Sequence, residues 1–219
     1  MSLASLRSRL SDRLAPAGGW RSDALAVSSD FDLNPGAGRP ERSLRPAAVL
    51  IPVIAYAGGA TVLLTKRADT LTNHGGQIAF PGGRLDRGET AVEAALREAH
   101  EEVGLNPAAV EVLGVSEAYE TVTGFLVTPV VGWIAAPPTL TADAAEVADM
   151  FEVPWDFLMD LANHRRDHVE PDVGPRRWFW AMPWQDRYIW GATAGIIRGL
   201  RTRLYDPAVE AGMAAEDAA

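Results

Sequence analysis

GGRLDRGETAVEAALREAHEEVGL, at residues 82–105, contains the strongest local structural signals in the chain. Thr90 is followed three positions later by Glu93, and this pair forms a capping box, which marks the start of a helix. Gly104 is suited to the left-handed conformation that commonly closes a helix. The sequence therefore predicts a helix that begins near residue 91 and ends at Gly104, preceded by a loop that begins with two glycines.

The predicted helix has an apolar face and an acidic cluster. Four residues at i, i+4, i+7 and i+11 predict the buried face: Val92, Leu96, Ala99 and Val103. Glu98, Glu101 and Glu102 are spaced by three and four positions, so we expect their carboxylates to cluster away from that face. Like charges at this spacing repel, whereas a divalent cation would hold them together, and Mg²⁺ is commonly shared between carboxylates and substrate phosphates. A solvated acidic surface is the alternative explanation.

The composition restricts the other chemistry that the chain can perform. The 219 residues include no cysteine, which excludes disulfides, thiolate nucleophiles and cysteine-ligated metal sites. The four histidines form no HExxH motif, so oxygen ligands are the best-supplied metal ligands. A net charge of −9 argues against nucleic acid or an anionic membrane surface as the main partner. No apolar run reaches membrane-spanning length, and cytoplasm is the expected location.

Strand and helix signals alternate along the rest of the chain. The first twenty residues predict a short amphipathic helix, with an organellar transit peptide as the alternative. The predicted strands are a buried hairpin at 47–56 and 60–67, a short strand that ends at Gly82-Gly83, and further strands at 109–121, 125–135 and 178–190. Short helices are predicted at 145–160, and a closing helix at 191–205. This order indicates an α/β sandwich with the sheet between helices.

Three regions are predicted along the chain. Residues 1–44 form an N-terminal helix and an irregular lead-in, residues 45–206 form the main domain, and residues 207–219 form a frayed tail. The aromatic residues at 178–190 are expected in the core or at a homodimer surface, with an adenine-stacking ring as the alternative.

The spacing of the fixed residues in 82–105 resembles the Nudix box, G-x5-E-x7-R-E-U-x-E-E-x-G-U. All seven fixed Gly, Glu and Arg positions match, from Gly83 through Glu89 and Arg97 to Gly104, and Ala99 stands where a bulkier aliphatic residue is usual. The resemblance implies a Nudix-type α/β/α sandwich with a mixed β-sheet and a catalytic loop–helix–loop. It also implies a pyrophosphohydrolase that depends on Mg²⁺ or Mn²⁺.

The resemblance assigns the metal site and leaves the general base open. Glu98 and Glu102 would be the principal metal ligands, and Glu101 would complete the site or take part in proton transfer. Glu101 and Glu146 are the two candidates for the general base, and a plain surface role is the alternative for Glu146.

The resemblance also assigns positioning roles. Glu89 would hold the loop and the catalytic helix together, and Arg97 would orient carboxylates through charged hydrogen bonds. Gly82 and Gly83 would let the backbone approach the metal and the phosphates closely.

The segment LLTKRADTLTNHGGQIAFPGG, at 63–83, is similar to the signature of the coenzyme A pyrophosphatase branch of the family. The implied substrate is coenzyme A or a derivative, cut into 3′,5′-ADP and phosphopantetheine. Arg67 is a candidate phosphate contact, assisted by Lys66 or His74. The alternatives are a strand end in solvent for Arg67 and a hydrogen bond within the loop for His74. Thr72 stands where the branch has a second Arg, which keeps three alternative substrates open: ADP-ribose, NADH or a dinucleoside polyphosphate. A non-catalytic nucleotide sensor is the alternative from another functional class.

Overall fold

The computed structural model describes residues 1–18, 28–70, 75–172 and 174–206. Thr72, His74 and the tail predicted at 207–219 lie outside these residues. The α-helices within the described ranges are α1 Leu3–Arg13, α2 Ala91–Val103, α3 Trp155–Met159 and α4 Ala192–Tyr205. The strands in the same ranges are β1 Ser28–Ser29, β2 Arg45–Tyr56, β3 Gly59–Arg67, β4 Ile78–Ala79, β5 Gly82–Arg84, β6 Glu111–Val115, β7 Tyr119–Glu120, β8 Phe125–Ile134, β9 Val147–Pro154, β10 Arg165–Val169, β11 Arg177–Trp184 and β12 Arg187–Trp190.

The main sheet is mixed and, within the described residues, has nine strands. Its order is β1-β7-β8-β2-β3-β4, with β5 paired to β2, β6 to β8 and β9 to β3. Strand β2 is parallel to β8 and antiparallel to β3. The predicted hairpin of buried strands is confirmed, because Tyr56 pairs with Gly59 across a two-residue turn. Strands β10, β11 and β12 form a separate antiparallel sheet.

The main sheet separates two apolar cores. Alternate residues of a strand point to opposite faces, and the central strand β2 contributes to both cores on this period. One core contains Ala47, Ile51 and Val53 of β2 together with residues of α1, α3 and α4. The other contains Ala48, Leu50 and Ile54 together with residues of α2. The predicted α/β sandwich is therefore confirmed, with α2 on one face and the other helices opposite.

The prediction of short helices across 145–160 is wrong for its first half. Residues 147–154 form β9, which pairs antiparallel with β3, and only Trp155–Met159 are α-helical. Pairing with β3 satisfies the backbone of this segment and buries Val147 and Val153, so the tertiary contact overrides the local apolar spacing.

The strand predicted to end at Gly82-Gly83 is also divided. Strand β4 stops at Ala79, and β5 begins at Gly82 on a different partner, β2. Pro81 lies between them and has no N–H to continue a ladder. A Cβ on Gly82 would lie 2.6 Å from the Cα of Val49, so only glycine allows β5 to approach β2 this closely. This approach brings the loop before α2 against the central strand.

The predicted N-terminal helix is confirmed as α1. Its buried side chains Leu6 and Leu10 belong to the core that α4 also lines, and Arg9 Nη1 donates to the carbonyl oxygen of Leu204 at 3.1 Å. Helix α1 therefore closes that face of the sheet. Among the helices of the described residues, none has both the length and the apolar character that a membrane crossing needs.

Candidate active site

Helix α2 begins and ends as its sequence predicts. The hydroxyl of Thr90 accepts from the Glu93 N–H at 3.2 Å, while the Glu93 carboxylate accepts from the Thr90 N–H at 2.8 Å. Gly104 closes the helix in the left-handed conformation at φ 66°. The N–H groups of Thr141 and Asp143 then donate to carbonyl oxygens of the last helical turn at 2.9 Å. Local caps and the 141–143 loop together fix the helix in place.

The buried face of α2 differs from the prediction. Ala99 and Val103 are buried as expected, but Val92 and Leu96 are only half-buried. Ala94, Ala95 and Glu102 are also buried, and Glu102 is 3% exposed. Glu102 lies seven residues after Ala95 and three after Ala99, so the helical period brings it to the packed side. The expectation that all three glutamates lie away from the buried face is therefore wrong for Glu102.

The buried carboxylate of Glu102 has two polar contacts. Arg67 Nη1 lies 3.3 Å from Oε1, and the backbone N–H of Gly82 donates to Oε2 at 3.2 Å. Burial raises the pKa of Glu102 to about 7, although Arg67 and the Gly82 N–H act against this, and the charges of Glu98 and Glu146 raise the pKa further. Arg67 and the Gly82 N–H therefore do not fully offset the effect of burial on the ionised form of Glu102.

Glu98 lies against the backbone of the preceding loop. A Cβ on Gly83 would lie 2.7 Å from Glu98 Oε2, so the absence of a side chain at Gly83 leaves the room that this carboxylate fills. Burial raises the pKa of Glu98, its contact with Arg97 lowers it, and the charges of Glu101 and Glu146 raise it. In both Glu98 and Glu102, burial is thus the main cause of a raised pKa.

Arg97 connects the loop to the helix. Its Nε and Nη2 donate to both carboxylate oxygens of Glu89, at 2.8 and 3.0 Å, and Nη2 also donates to the Arg84 carbonyl at 3.1 Å. Its Nη1 lies 3.0 Å from an oxygen of Glu98 and 3.0 Å from an oxygen of Glu101. One guanidinium therefore holds two of the three clustered glutamates together and ties both to the loop.

The Glu89–Arg97 pair gives a pH-dependent stability. The hydrogen bonds from Arg97 lower the pKa of Glu89, so the pair stabilises the fold above the ordinary carboxyl pKa of about 4.3 and loses this effect as pH falls through the lowered pKa. We expect Glu89→Gln to lower the free energy of unfolding by about 1 kcal/mol at pH 7. Urea unfolding should show this difference shrinking on acidification.

Glu111→Gln is the matched control, because it breaks an exposed ion pair with Arg7 and should cost much less. An equal loss of stability for Glu89→Gln at neutral and acidic pH would contradict the proposed role of the ionised pair.

The chemistry of the donors fits a hard divalent cation. The clustered side chains are all carboxylates, and oxygen is the ligand that Mg²⁺ and Mn²⁺ prefer. Within the described ranges, no group of three or more His, Asp or Glu side chains is already arranged to hold a metal. In this structure Arg97 holds oxygens of Glu98 and Glu101, and Arg67 holds one of Glu102. The raised pKa values of Glu98 and Glu102 indicate that added positive charge would stabilise their ionised forms.

Glu146 lies close enough to this cluster for its charge to act on Glu98 and Glu102. The Ala68 N–H donates to its backbone oxygen at 2.8 Å, next to the irregularity at Lys66/Arg67 in the pairing of β3 with β9. Its side chain is exposed, and its charge raises the pKa of both Glu98 and Glu102. The pairing of β9 with β3, which the sequence did not predict, is what brings Glu146 to the site.

A cavity of about 1020 Å³ lies beside the glutamates. Arg67, Gly82 and Gly83 line the cavity and also contact Glu98 or Glu102, so the cavity and the acidic cluster are continuous. Six aromatic residues contribute to its walls: Phe31, Phe80, Phe125, Trp178, Phe179 and Trp190. A largely apolar cavity with a few polar groups at one side is typical of a small-molecule site.

The other residues singled out from the sequence have different positions. Lys66 does not line the cavity, because neighbouring residues of a strand point to opposite faces and Arg67 points into the cavity. The Nζ of Lys66 lies 3.6 Å from the carboxylate of Asp69. Of the aromatic cluster, Trp180 and Trp184 pack against the core, whereas Trp178, Phe179 and Trp190 line the cavity. Sequence patterns did not identify the cavity residues of 28–40 or the arginines at 84 and 177, since no periodic or motif signal marks them.

Comparisons with known proteins cover this same part of the chain. A NUDIX domain family model matches residues 44–172. An uncharacterized Nudix hydrolase NudL from Pectobacterium atrosepticum is 42% identical over 170 residues, which are 77% of this chain and 87% of the relative. A protein of the same name from Citrobacter koseri is 46% identical over 165 residues, 73% of this chain and 83% of the relative. The Nudix hydrolase RenU from M. smegmatis shares 29% identity and a TM-score of 0.43, covering 55% of this chain and 77% of RenU.

Proposed function

The chain belongs to the Nudix family, and on that premise we propose that it is a divalent-metal-dependent pyrophosphohydrolase that cleaves coenzyme A or one of its derivatives at the diphosphate. Nudix hydrolases act on diphosphate bonds and generally use divalent metal ions. The proposal goes beyond membership of the family in three respects: the substrate, the metal and the roles of single residues.

The observation that carries the proposal is the continuity of the acidic cluster with the cavity. Gly82 and Gly83 separate the two by backbone alone, and Gly82 already donates its N–H to Glu102. A diphosphate at this junction would lie against the glutamates, while the rest of the substrate fills the cavity. The volume of about 1020 Å³ is at the upper end of the range for small-molecule sites, which supports a bulky nucleoside diphosphate derivative.

We propose that Glu98 and Glu102 are the principal ligands of Mg²⁺ or Mn²⁺, with Glu101 completing the set. The bound metal would neutralise phosphate charge and lower the pKa of a coordinated water. Arg97 would keep Glu98 and Glu101 close together, and Glu89 would hold Arg97 in position, consistent with their hydrogen bonds. The carboxylates are thus oriented before substrate binds.

The general base must accept a proton from the attacking water. Glu101 is held by Arg97 at 3.0 Å, and this contact occupies one of its two carboxylate oxygens. The side chain of Glu146 forms no hydrogen bond or ion pair with the described residues, and it lies close enough for its charge to act on Glu98 and Glu102. These contacts support Glu146 as the base, with Glu101 as the second candidate.

The apolar walls of the cavity support a substrate with large uncharged parts. The aromatic rings of Phe31, Phe125 and Trp178 offer surfaces for a base or for a pantetheine chain. Arg67 lies at the junction of cavity and cluster, where it can contact a phosphate, although in this structure it pairs with Glu102. The roles proposed for His74 and for the substitution at Thr72 fall outside the described residues and rest on the sequence alone.

The test is hydrolysis of coenzyme A, ADP-ribose and NADH in parallel with Mg²⁺, Mn²⁺ or EDTA, with products identified by mass. We expect 3′,5′-ADP and phosphopantetheine in the presence of either metal, none with EDTA, and a kcat/KM for coenzyme A at least about 10-fold above the others. Preference for ADP-ribose or NADH would replace the proposed substrate. Absence of metal-dependent turnover for all three would favour a nucleotide-binding protein without catalysis.

A further inference from the structure

The cavity wall is basic although the chain as a whole is acidic. The net charge of the chain is −9, yet among the described residues the cavity is lined by four arginines and one acidic residue, Asp30. The carboxylate of Asp30 is already engaged, because it accepts from the Tyr119 hydroxyl at 2.8 Å and from the Val122 N–H at 2.7 Å. The cavity therefore offers its positive charge to a ligand.

The four arginines divide into two pairs. Arg67 contacts Glu102, and Arg39 lies 3.0 Å from Glu120, so both have carboxylate partners. Arg84 and Arg177 differ: within the part of the chain that the structure describes, neither side chain forms an ion pair or donates a hydrogen bond. The guanidinium of Arg84 lies 5.4 Å from the ring centroid of Phe125, a contact that leaves its N–H groups available.

Two different sheets present these arginines to the cavity. Arg84 ends β5 and pairs with Ala47 of the central strand, one residue after the glycine that contacts Glu98. Arg177 begins β11 of the smaller sheet. The side-chain amide of Asn34 donates to the carbonyl oxygen of the next residue, Trp178, and accepts from its N–H, each at 2.8 Å. Arg84 and Arg177 are thus carried by strands of two different sheets, and both line one cavity.

We propose that Arg84 and Arg177 form an anion subsite that binds a phosphomonoester of the substrate, apart from the diphosphate that is cleaved. This inference rests on the proposed function and makes the two arginines determinants of specificity. The metal-binding glutamates and Arg67 would serve the diphosphate, so a further phosphate group needs other cations. A phosphomonoester carries close to two negative charges and accepts the planar fork of a guanidinium in bidentate fashion. Arg84 and Arg177, which form no ion pair with the described residues, provide for that charge.

The test measures binding of 3′,5′-ADP and of 5′-AMP, which lacks the 3′-phosphate, by isothermal titration calorimetry. Arg84→Gln and Arg177→Gln should each weaken 3′,5′-ADP by about 10-fold or more, the scale of a lost charge-assisted hydrogen bond, and change 5′-AMP by less than about 2-fold. Arg87→Gln is the matched control, since this exposed arginine does not line the cavity and should leave both affinities unchanged.

The remaining outcomes overturn the inference. Equal losses for the two nucleotides would assign the arginines to a shared phosphate, and unchanged affinities would remove them from recognition. A wild-type protein that binds 3′,5′-ADP no better than 5′-AMP would show that it has no such subsite. Nucleotide binding does not depend on hydrolysis, so the binding experiment tests the subsite even if the proposed function fails. Turnover of coenzyme A and of dephospho-coenzyme A, measured separately, tests the proposed function.

Discussion

Glu98→Gln and Glu102→Gln should each lower the turnover of the diphosphate substrate by about a thousand-fold or more, the scale expected when about 4 kcal/mol of transition-state stabilisation is lost. Each substitution removes one negative charge from the proposed metal site while keeping the size of the side chain. The measurement is steady-state kinetics with Mg²⁺, combined with titration of Mn²⁺ binding to each variant. We expect weaker Mn²⁺ binding as well as slower turnover.

The fold should survive both changes. The pKa values of Glu98 and Glu102 are raised mainly by burial, so a neutral amide removes a poorly compensated charge at each position. We therefore expect the free energy of unfolding to change by less than about 1 kcal/mol. Glu93→Gln is the control on the same helix, because Gln can also occupy the capping box. Near-normal turnover and Mn²⁺ affinity in both site variants would contradict the metal assignment.

Gly83→Ala should lower turnover by about 100-fold without unfolding the protein, because a small misplacement of a reacting group can have an effect of that size. The added Cβ would lie 2.7 Å from Glu98 Oε2 and closer still to Oε1 and Cδ. Since those atoms are the far end of a flexible side chain, the carboxylate should move and the backbone should stay. Kinetics and thermal unfolding of the same variant separate these two effects.

Gly58→Ala is the matched control for this prediction. A Cβ on Gly58, in the turn between β2 and β3, would meet no atom within 4 Å. This variant should keep full activity and gain slightly in stability, since alanine reduces the freedom of the unfolded chain. If Gly83→Ala were as active as Gly58→Ala, the position of Glu98 against the loop backbone would not matter for turnover.

The sequence predicted best those features that depend on neighbours along the chain. The limits of α2 follow from the reciprocal bonds of Thr90 with Glu93 and from the left-handed Gly104, each of which involves residues within one or two turns. The spacing of Glu98, Glu101 and Glu102 on one helix follows from the helical period in the same way. The β2–β3 hairpin required only its apolar runs and a two-residue turn.

The features that failed, or that were not seen, depend on contacts between distant segments. Residues 147–154 are a strand because they pair with β3, 80 to 93 residues earlier in the chain, and this pairing also brings Glu146 to the site. Glu102 is buried because α2 packs on the sheet through Ala94 and Ala95, and the acidic pattern along the helix gave no sign of this packing.

The sequence by itself determined the acidic helix and its caps, because the capping hydrogen bonds and the helical spacing involve only nearby residues. It also carried the motif whose resemblance implied a Nudix fold. Only the tertiary structure decided what surrounds that helix. It placed Gly83 against Glu98 and Arg67 against Glu102, and it brought Arg84 and Arg177 from separate sheets to one cavity. Such contacts arise when sheets and helices bury their apolar faces, and their partners are set by strand register and packing across the whole chain.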